Sequence, residues 1–510
     1  MKSIHVKKVC QAQKDRPLKE MQRRDFLRSV SAVATTLGFP SLWGRERERP
    51  LLTLGVVSDT HIGPREAAAN FEQTLRFFRD RKVDAVMNCG DLADWGLRSG
   101  FRYVAEAWNK VFPGGKGAEG RPVRKLFCTG NHDYEGWWYP DMAAEMHALG
   151  YSEDDAAVKL GMKDCWEEVF QEEFAPIRRR TVNGFDFISA EWYGRDMAPG
   201  HNLAPDWLRE HGGELDPSKP FFFFLHAPPA ETTTGSFSNN PVQRQITQAL
   251  SAFPNAISIS GHAHRTINDE RTIWQGAFTA VSVPSLSHAG VRDGGYENGG
   301  DVRDGTSSRA MPIIPARLRR ERPQGLVVTV FRDRMELERY DFVKFVHTAP
   351  TWHLPLPVTA SNRPYEPKAH AARIPVPEFS SDAALSLRTR NTETRGGNWE
   401  IVMIAEFPAA TAVRNARAFD YELRAVPIDG AKPMVKRFLS PAFHKLKEEE
   451  PSRMKFWFNV LDLPQDVEYR IEAYPRNCFG VCGKPLVSAL RRGKPGGKRS
   501  KGIPPPVKSA

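Results

Sequence analysis

Five short polar clusters, each with side chains of a kind that bind metals, constrain this chain more than any other feature. Most of them follow an apolar run that predicts a buried strand, and ligands collect at the carboxyl ends of strands in open α/β sheets. Two aspartates, one asparagine and four histidines around one further histidine could hold two neighbouring metal ions. The clusters are Asp59-Thr60-His61, Gly90-Asp91, Gly130-Asn131-His132-Asp133, His226 and Gly261-His262-Ala263-His264.

The order of these clusters resembles the calcineurin-like metallophosphoesterases, whose pattern is D-x-H, G-D, G-N-H-[DE], a lone H and G-H-x-H. Every part of that pattern occurs here in order, over roughly residues 51–345. A single GD or a lone histidine is common, whereas the ordered set is specific. The resemblance implies a four-layer α/β/β/α sandwich and a metal-dependent phosphoric ester hydrolase, either a phosphatase or a phosphodiesterase.

The resemblance also implies two groups of ligands that share one aspartate. Imidazole with carboxylate suits zinc, manganese or iron better than magnesium or calcium, and the sequence leaves the metal open. In such a centre a hydroxide that bridges the two ions attacks phosphorus. The implied ligands are Asp59, His61, Asp91 and His264 for metal one, and Asp91, Asn131, His226 and His262 for metal two.

His132 stands next to an implied ligand, so it cannot easily face the same ion. The resemblance assigns it to the leaving-group oxygen as the general acid. Asp133 is expected to orient its ring and to keep it protonated near neutral pH. Asp94 is expected either to cap a helix or to form a hydrogen bond with a metal-binding side chain without binding the metal itself.

Smaller departures from related patterns bear on the substrate. Protein serine/threonine phosphatases have an arginine where this chain has Trp95, which disfavours a phosphoprotein substrate. The second histidine of the last cluster resembles the purple acid phosphatase and cyclic-nucleotide phosphodiesterase branch. Asp94, however, stands where a purple acid phosphatase would have its tyrosine ligand. The expected substrate is a small-molecule phosphate ester, and monoester and diester both remain open.

The positive charge of the chain lies at its two ends. The formal net charge is +11, of which residues 1–24 contribute +6 and residues 491–510 contribute +7, so residues 25–490 carry −2. No nucleic-acid-binding face is expected from this pattern. It weighs against one alternative, a metal-dependent nuclease. The other alternative is an extracytoplasmic binding protein that acts through a C-terminal β-sandwich and has an inactive first domain.

Residues 1–44 are predicted to be an export signal. The segment Arg23-Arg24-Asp25-Phe26-Leu27-Arg28 and the small apolar run after it resemble a twin-arginine signal, with Gln22 and Arg28 departing from the pattern at its edges. The apolar run is too short for an ordinary membrane-spanning helix, and no other stretch is apolar enough to be one. The twin-arginine export machinery is therefore an expected partner, and the expected location is periplasmic or secreted.

The remaining chain divides by composition, because 510 residues exceed one ordinary domain. Alternating strand and helix signals predict the metallophosphoesterase domain over residues 51–346, and the proline-dense residues 347–380 predict a linker. Residues 381–490 predict an all-β sandwich, since the segment from Val460 to Gly480 resembles the end of a fibronectin type III domain. The basic residues 491–510 predict a disordered tail.

Several features leave alternatives open. The long stretches Tyr134–Arg180 and Ala289–Pro323 could form substrate walls or could be inert additions. The aromatic residues Trp95, Trp137 and Trp138 could stack on a substrate or could pack against one another. Cys478 and Cys482 could close a loop disulfide or, less readily, bind a metal. His201 and His211 lack a motif and are expected at the surface, and the sequence does not indicate the oligomeric state.

Overall fold

The computed structural model describes residues 49–63, 67–192, 200–233, 239–287, 289–290, 323–393, 399–411, 417–441 and 443–492. The predicted export signal, nearly all of the stretch 289–323 and the predicted tail from residue 493 lie outside these ranges. The described residues from Pro50 onward belong to one compact unit. Among the residues described, no helix is at once long enough and apolar enough to cross a membrane.

Two six-stranded sheets form the first part of the described chain. The first sheet has the strand order β12-β11-β10-β1-β2-β3, and the second has the order β4-β5-β6-β7-β9-β8. The strands are β1 (Leu52–Val57), β2 (Ala85–Cys89), β3 (Arg124–Cys128), β4 (Ile177–Val182), β5 (Phe185–Ala190), β6 (Phe221–Leu225), β7 (Ala256–Ser260), β8 (Ile273–Gln275), β9 (Thr279–Ser282), β10 (Gln324–Val330), β11 (Arg334–Asp341) and β12 (Val346–Pro355).

Each sheet has a parallel part from which the functional clusters emerge. In the first sheet β1, β2 and β3 are parallel, whereas β10, β11 and β12 add antiparallel strands beyond β1. In the second sheet β5, β6, β7 and β9 are parallel. Parallel strands of this kind are buried on both faces, which explains continuous apolar runs such as Phe221–Leu225.

Helices cover the outer face of both sheets. Successive side chains of a strand point to opposite faces, so Leu54 and Val56 face the second sheet while Val57 faces the helices. The helices are α1 (Ala67–Asp80), α2 (Arg98–Val111), α3 (His132–Glu135), α4 (Pro140–Ala148), α5 (Ala157–Leu160), α6 (Met162–Phe170), α7 (Gly200–His211), α8 (Pro241–Leu250) and α9 (Pro367–Arg373).

Three apolar layers hold these elements together. Side chains of α1, α2 and α6 pack on the first sheet, and side chains of α7 and α8 pack on the second. The third layer lies between the sheets and includes Leu54 and Val56 of the first sheet and Phe187 and Phe222 of the second, whose rings stack with their centroids 4.8 Å apart. The predicted four-layer α/β/β/α sandwich is confirmed.

The C-terminal part of the described chain is all antiparallel β structure. One sheet has the order β13-β14-β17, and the other has the order β16-β15-β18-β19 with β20 also paired to β18. Their core includes Phe407, Tyr421 and Phe456. These sheets agree with the predicted all-β sandwich. The strands are β13 (Ser386–Glu393), β14 (Trp399–Pro408), β15 (Asp420–Pro427), β16 (Met434–Leu439), β17 (Arg453–Asn459), β18 (Glu468–Arg476), β19 (Leu486–Val487) and β20 (Arg491–Arg492).

The segment predicted as a linker, residues 347–380, differs from that expectation. It contains most of β12 and all of α9, so the first sheet continues beyond residue 346. Pro350 and Pro355 lie in β12, which is an edge strand of the sheet. Proline is tolerated there because the missing amide hydrogen need not pair with another strand.

The stretch after Tyr134 is built mainly from short helices. Trp95 and Trp137 are buried in a small cluster with Leu97, Met146 and Ala156. These two rings are therefore packing residues, in line with the packing alternative, while Trp138 is 38% exposed.

A buried ion pair fixes the antiparallel side of the first sheet. Arg339 of β11 is 1% exposed, and its Nη1 donates to Glu270 Oε1 at 2.8 Å. Trp352 Nε1 donates to the other oxygen of Glu270 at 2.7 Å, and the guanidinium lies 4.2 Å from the centroid of the Trp352 ring system. Burial would raise the pKa of Glu270, but Arg339 and His370 outweigh it and lower the pKa to about 2.

We expect Glu270→Gln to lower the free energy of unfolding by about 3 kcal/mol at pH 7, since it leaves a buried arginine without its counter-charge. The contribution of a carboxyl group with a depressed pKa is complete above its unfolded value, near 4.5, and is lost as the pH falls through about 2. Urea unfolding between pH 7 and pH 3 should show the difference between wild type and variant shrinking. Glu153→Gln, which breaks an exposed pair with Lys159, should change stability by less than about 1 kcal/mol. A difference that does not vary with pH would contradict this account.

Candidate metal centre

The five polar clusters meet where the parallel strands of both sheets end. Asp59 and His61 follow β1, Asp91 follows β2, and Asn131 follows β3, so the first sheet supplies four of the seven predicted ligands. The second sheet supplies the other three after β6 and β7. The structure thus brings together side chains that are spread over about two hundred positions of the chain. The three from the second sheet are His226, His262 and His264.

Four of these side chains form one buried group. Ligand atoms of Asp59, His61, Asp91 and His264 all lie within 4.8 Å of one another. Nε2 of His264 is 2.8 Å from Asp59 Oδ1 and 3.1 Å from Nε2 of His61. This is the set that the sequence predicts for metal one.

The second group adjoins the first through Asp91. Nε2 of His226 lies 3.1 Å from Asp91 Oδ2 and 3.1 Å from Asn131 Oδ1, and Nδ1 of His262 lies 3.2 Å from the same Nε2. Asp91 Oδ2 is also 3.7 Å from Nε2 of His61. One oxygen of Asp91 therefore faces both groups, while its Oδ1 accepts from the backbone amide of His132 at 2.8 Å.

Two histidines are held from behind through their second ring nitrogen. Nδ1 of His61 is 2.8 Å from Asp94 Oδ1, and Nδ1 of His226 is 2.8 Å from the carbonyl oxygen of Cys89. The carbonyl can only accept, so Nδ1 of His226 carries the hydrogen. Support of this kind is typical of metal-binding histidines, because it fixes the ring and directs Nε2 toward the ion.

The backbone is strained at this site. Twelve described residues other than glycine have a left-handed φ, and five of them are predicted ligands. A left-handed conformation costs an L-residue about 1–2 kcal/mol. Such strain persists only where the surroundings over-determine it, and it collects at functional sites. The five are Asp59 (φ 50°), His61 (45°), Asp91 (52°), His262 (65°) and His264 (49°).

Two glycines allow the ligand loops to approach one another. Gly90 has a φ of 94°, and a Cβ there would lie 2.7 Å from Nδ1 of His226. A Cβ on Gly261 would lie 1.8 Å from the Ser58 hydroxyl oxygen and 2.3 Å from Asp59 Oδ2. The glycines of the GD and GH pairs are therefore required by close contact with the neighbouring ligand loop.

The buried carboxylates determine the electrostatics of the site. Burial would lower the pKa of His61 and of His226, but hydrogen bonds with Asp59 and Asp94 raise that of His61 to about 10. The charges of Asp91 and Asp59 raise the pKa of His226 to about 9. His262 differs, because burial and the neighbouring His226 lower its pKa to about 3. The centre thus favours added positive charge near the two aspartates.

The donor atoms fit a pair of metal ions. Asp59 and Asp91 are 0% and 1% exposed, and a buried carboxylate must be paired or must coordinate a metal. The nitrogens of His61 and His264 face each other at 3.1 Å, an arrangement in which both can point lone pairs at one cation. Carboxylate and amide oxygens with imidazole nitrogens suit zinc, manganese or iron.

His132 is placed beside the centre, but its ring is held differently from the expectation. Its Nδ1 lies 3.1 Å from the backbone oxygen of Asp94 and 3.5 Å from Asp94 Oδ1. Asp133, which the sequence paired with this ring, instead accepts from the backbone amides of Leu92, Ala93 and Gly130. Burial and the charge of Asp91 raise the pKa of Asp133 to about 7. Its carboxyl group thus joins the loops after β2 and β3, and Asp94 positions the ring.

A buried clamp joins the two sheets next to this loop. Glu191, at the end of β5, accepts from the amide and hydroxyl of Thr129 at 2.7 Å and 3.0 Å. Its other oxygen accepts from Arg178 Nη2 at 2.5 Å, and the same Nη2 lies 2.7 Å from the carbonyl oxygen of Phe127. Glu191 is 0% exposed. The clamp fixes the start of the Gly130–Asp133 loop against the second sheet.

Sequence reasoning missed several residues around the centre. His201, expected at the surface, is 0% exposed, and its ring lies 5.4 Å from that of Trp192. The Trp192 ring in turn lies 5.8 Å from that of His262. The helical spacing of His201, Ala204 and Leu208 was the signal that could have found it. Tyr139 was also missed as a site residue, and its ring stacks on that of His132 with centroids 5.2 Å apart.

Solved structures resemble this chain at low sequence identity. A dimetal phosphatase from Danio rerio is 12% identical, with 61% of this chain and all of that chain covered and a TM-score of 0.37. GAP50, the anchor in the inner membrane complex of Plasmodium, is 11% identical. The match covers 63% of this chain and 94% of that chain, with a TM-score of 0.35. The purple acid phosphatase PPD1 from yellow lupin (Lupinus luteus) seeds is 13% identical. The match covers 60% of this chain and 55% of that chain, with a TM-score of 0.34. No curated protein matches the chain.

The match to a protein family is confined to the part of the chain that carries the centre. Residues 52–266 match the family described as calcineurin-like phosphoesterase. This range includes all seven predicted ligands together with His132 and Asp133. Over residues 52–266, the part of the chain that carries the centre is thus similar to the calcineurin-like phosphoesterases.

Proposed function

We propose that this protein hydrolyses phosphate mono- or diesters with a pair of metal ions, either manganese, zinc or iron. The observation that carries the proposal is the shared aspartate: Oδ2 of Asp91 faces His61 on one side and His226 on the other. Because one carboxylate oxygen lies between two nitrogen-rich groups, the geometry favours two adjacent cations over two separate metal sites. The substrate class is a small-molecule phosphate ester.

Seven side chains would hold the ions. When bound, the two metals would supply an activated water at neutral pH and offset charge on the phosphate oxygens. Asp94 and the carbonyl of Cys89 keep His61 and His226 in the orientation that coordination needs. The ligands are Asp59, His61, Asp91 and His264 for metal one, and Asp91, Asn131, His226 and His262 for metal two.

His132 would donate a proton to the departing oxygen of the substrate. Its Nδ1 is directed at the backbone oxygen of Asp94, an acceptor, so Nδ1 carries one hydrogen, and the proton that passes to the leaving group is a second one, carried by Nε2 of the protonated ring. Tyr139 stacks on the ring and further limits its rotation. Asp133 supports this step indirectly, since it fixes the backbone on which His132 stands.

Loss of the shared aspartate should abolish activity. We expect Asp91→Asn to lower turnover of nitrophenyl phosphate esters by more than about 100-fold, which exceeds the 10–100-fold typical of groups behind the ligands. Metal content, measured by mass spectrometry of the purified protein, should fall below two ions per chain. Asp186→Asn, a change at a half-buried residue on β5 that weakens a pair with Arg179, is the matched control and should leave both values unchanged. A wild-type protein that holds no metal after reloading would overturn the proposal in favour of a binding protein.

The role of His132 can be tested with two leaving groups. We expect His132→Ala to lower turnover of an alkyl ester such as glycerol phosphate by about 100-fold or more, because a poor leaving group needs the proton. The loss with nitrophenyl phosphate should be much smaller. His211→Ala, at an exposed histidine paired with Glu214, serves as the control. Equal losses with both substrates would exclude His132 as the general acid.

We also propose that the protein is exported by the twin-arginine route, with a fibronectin type III-like domain at its C-terminal end. The division of β13–β20 into a three-stranded sheet and a second sheet supports that domain type. The support for export is the sequence of residues 1–44 alone.

Replacement of Arg23 and Arg24 by lysine should therefore keep the full-length precursor in the cytoplasm. Cell fractionation with an antibody against the protein measures its distribution. Arg28→Lys, the same change outside the arginine pair, should export normally. An unchanged distribution of the double variant would argue against this route.

A further inference from the structure

The segment that follows the last two ligands lies against the C-terminal β domain, defined here as residues 381–490. After His264 the chain continues through Thr266 and Ile267, both 0% exposed, to Asn268. The backbone amide of Thr266 donates to the carbonyl of Gly290, and that of Gly290 donates to the carbonyl of His264. The Gly261–His264 loop thus continues directly into a closely packed segment. Contacts that hold this segment in place therefore also restrain the backbone of the loop.

Gln324 joins three parts of the molecule at this point. It begins β10 and is 0% exposed. Its Oε1 accepts from the hydroxyl of Thr266 and from the amide of Ile267, both at 3.0 Å. Its Nε2 donates to the carbonyl of His444 in the C-terminal β domain at 3.0 Å. One buried amide therefore ties the first sheet, the segment after the ligand loop and the C-terminal β domain together.

Asn268 makes a parallel link to the same turn. Its Nδ2 donates to the carbonyls of Phe443 and Lys445 at 2.9 Å and 3.2 Å. The carbonyls of three consecutive residues, 443 to 445, are thus taken up by two side-chain amides from the phosphoesterase domain. Such a match fixes the register between the two parts, because a shift of one residue would leave buried polar groups unpaired.

A third link runs through charged and aromatic groups. Arg265, the residue after His264, lies with Nη1 3.4 Å from Asp269 Oδ2, and Arg271 donates to the same carboxylate at 2.6 Å and 2.9 Å. The guanidinium of Arg271 lies 4.6 Å from the centroid of the Phe419 ring, and Phe419 belongs to the C-terminal β domain. Phe419 in turn packs edge-on against Phe443.

We propose that the C-terminal β domain positions the metal centre by holding the Gly261–His264 loop in its strained conformation. The inference rests on the proposed function, in which His262 and His264 bind the two ions. Both residues have a left-handed φ, and such a conformation needs support from its surroundings. The three links supply that support from a domain that contributes no ligand of its own among the predicted seven.

Asn268→Ala in the full-length protein tests the proposal, because it removes one of the three links, the two hydrogen bonds from Asn268 to the turn at residues 443–445. We expect the affinity for Mn²⁺ to fall by about 10-fold, the lower end of the range for groups behind metal ligands. Activity should return at saturating Mn²⁺. The readouts are Mn²⁺ binding by competition with a chelating dye and activity titrated against Mn²⁺.

Asn255→Ala is the matched control for this change. Asn255 also donates its Nδ2 to two backbone carbonyls, those of Asp216 and Lys219 at 3.3 Å and 2.7 Å, but it precedes β7 at the end far from the ligands. It should leave Mn²⁺ affinity unchanged even if the melting temperature falls as much as in Asn268→Ala.

Phe419→Leu provides a second test from the other side of the interface. It keeps an apolar side chain but removes the ring under Arg271, and it should weaken Mn²⁺ binding in the same direction. If both variants bind Mn²⁺ as wild type does, the domain has only a structural role and the inference is wrong. If wild type itself binds none of Mn²⁺, Zn²⁺ and iron and shows no activity, the proposed function fails instead, so the two failures are distinguishable.

Discussion

Two carboxylates removed from water, those of Asp59 and Asp91, set the conditions for everything around them. A buried anion is costly unless positive charge offsets it, and in the described chain the ion pairs of these two side chains are all with histidines. The raised pKa of His61 and of His226 is the direct consequence. The predicted ligands can come within a few ångströms of one another for two reasons. Five of them have a left-handed φ, and Gly90 and Gly261 allow the loops to approach closely.

Support for this arrangement comes from several directions. Asp94 stands behind His61 and beside His132, so one carboxylate positions both a predicted ligand and the predicted general acid. Asp133 and Glu191 act on the backbone of the intervening loop, the former from the first sheet and the latter from the second. Gln324 links the segment after the last ligands to the C-terminal β domain in the same way, through a buried side-chain amide. Hydrogen bonds from both sheets and from the C-terminal β domain therefore hold the loops that carry the predicted ligands.

The sequence predicted most reliably what depends on local patterns. Apolar runs predicted the buried strands that most of the clusters follow, and the resemblance to the calcineurin-like metallophosphoesterase pattern identified the seven side chains that converge. Most of β12 was predicted as linker, because the strand contains proline and owes its conformation to its paired neighbour β11. The partner of Asp133 could not be predicted either, since it depends on how the loops after β2 and β3 cross. His201 shows the opposite case, in which a helical pattern was present but was not used.

The pairing of β1 with β10 has a consequence for how the protein is made. Leu52 lies opposite Val330, so the middle of the first sheet pairs two strands that are far apart in the sequence. On the ribosome, β1 emerges long before its partner, and the turn at residues 443–445 follows later still. Contacts of such long sequence separation slow folding, and an unpaired apolar strand invites association with other chains. One edge of the first strand therefore stays without its partner until the chain has been made as far as Val330.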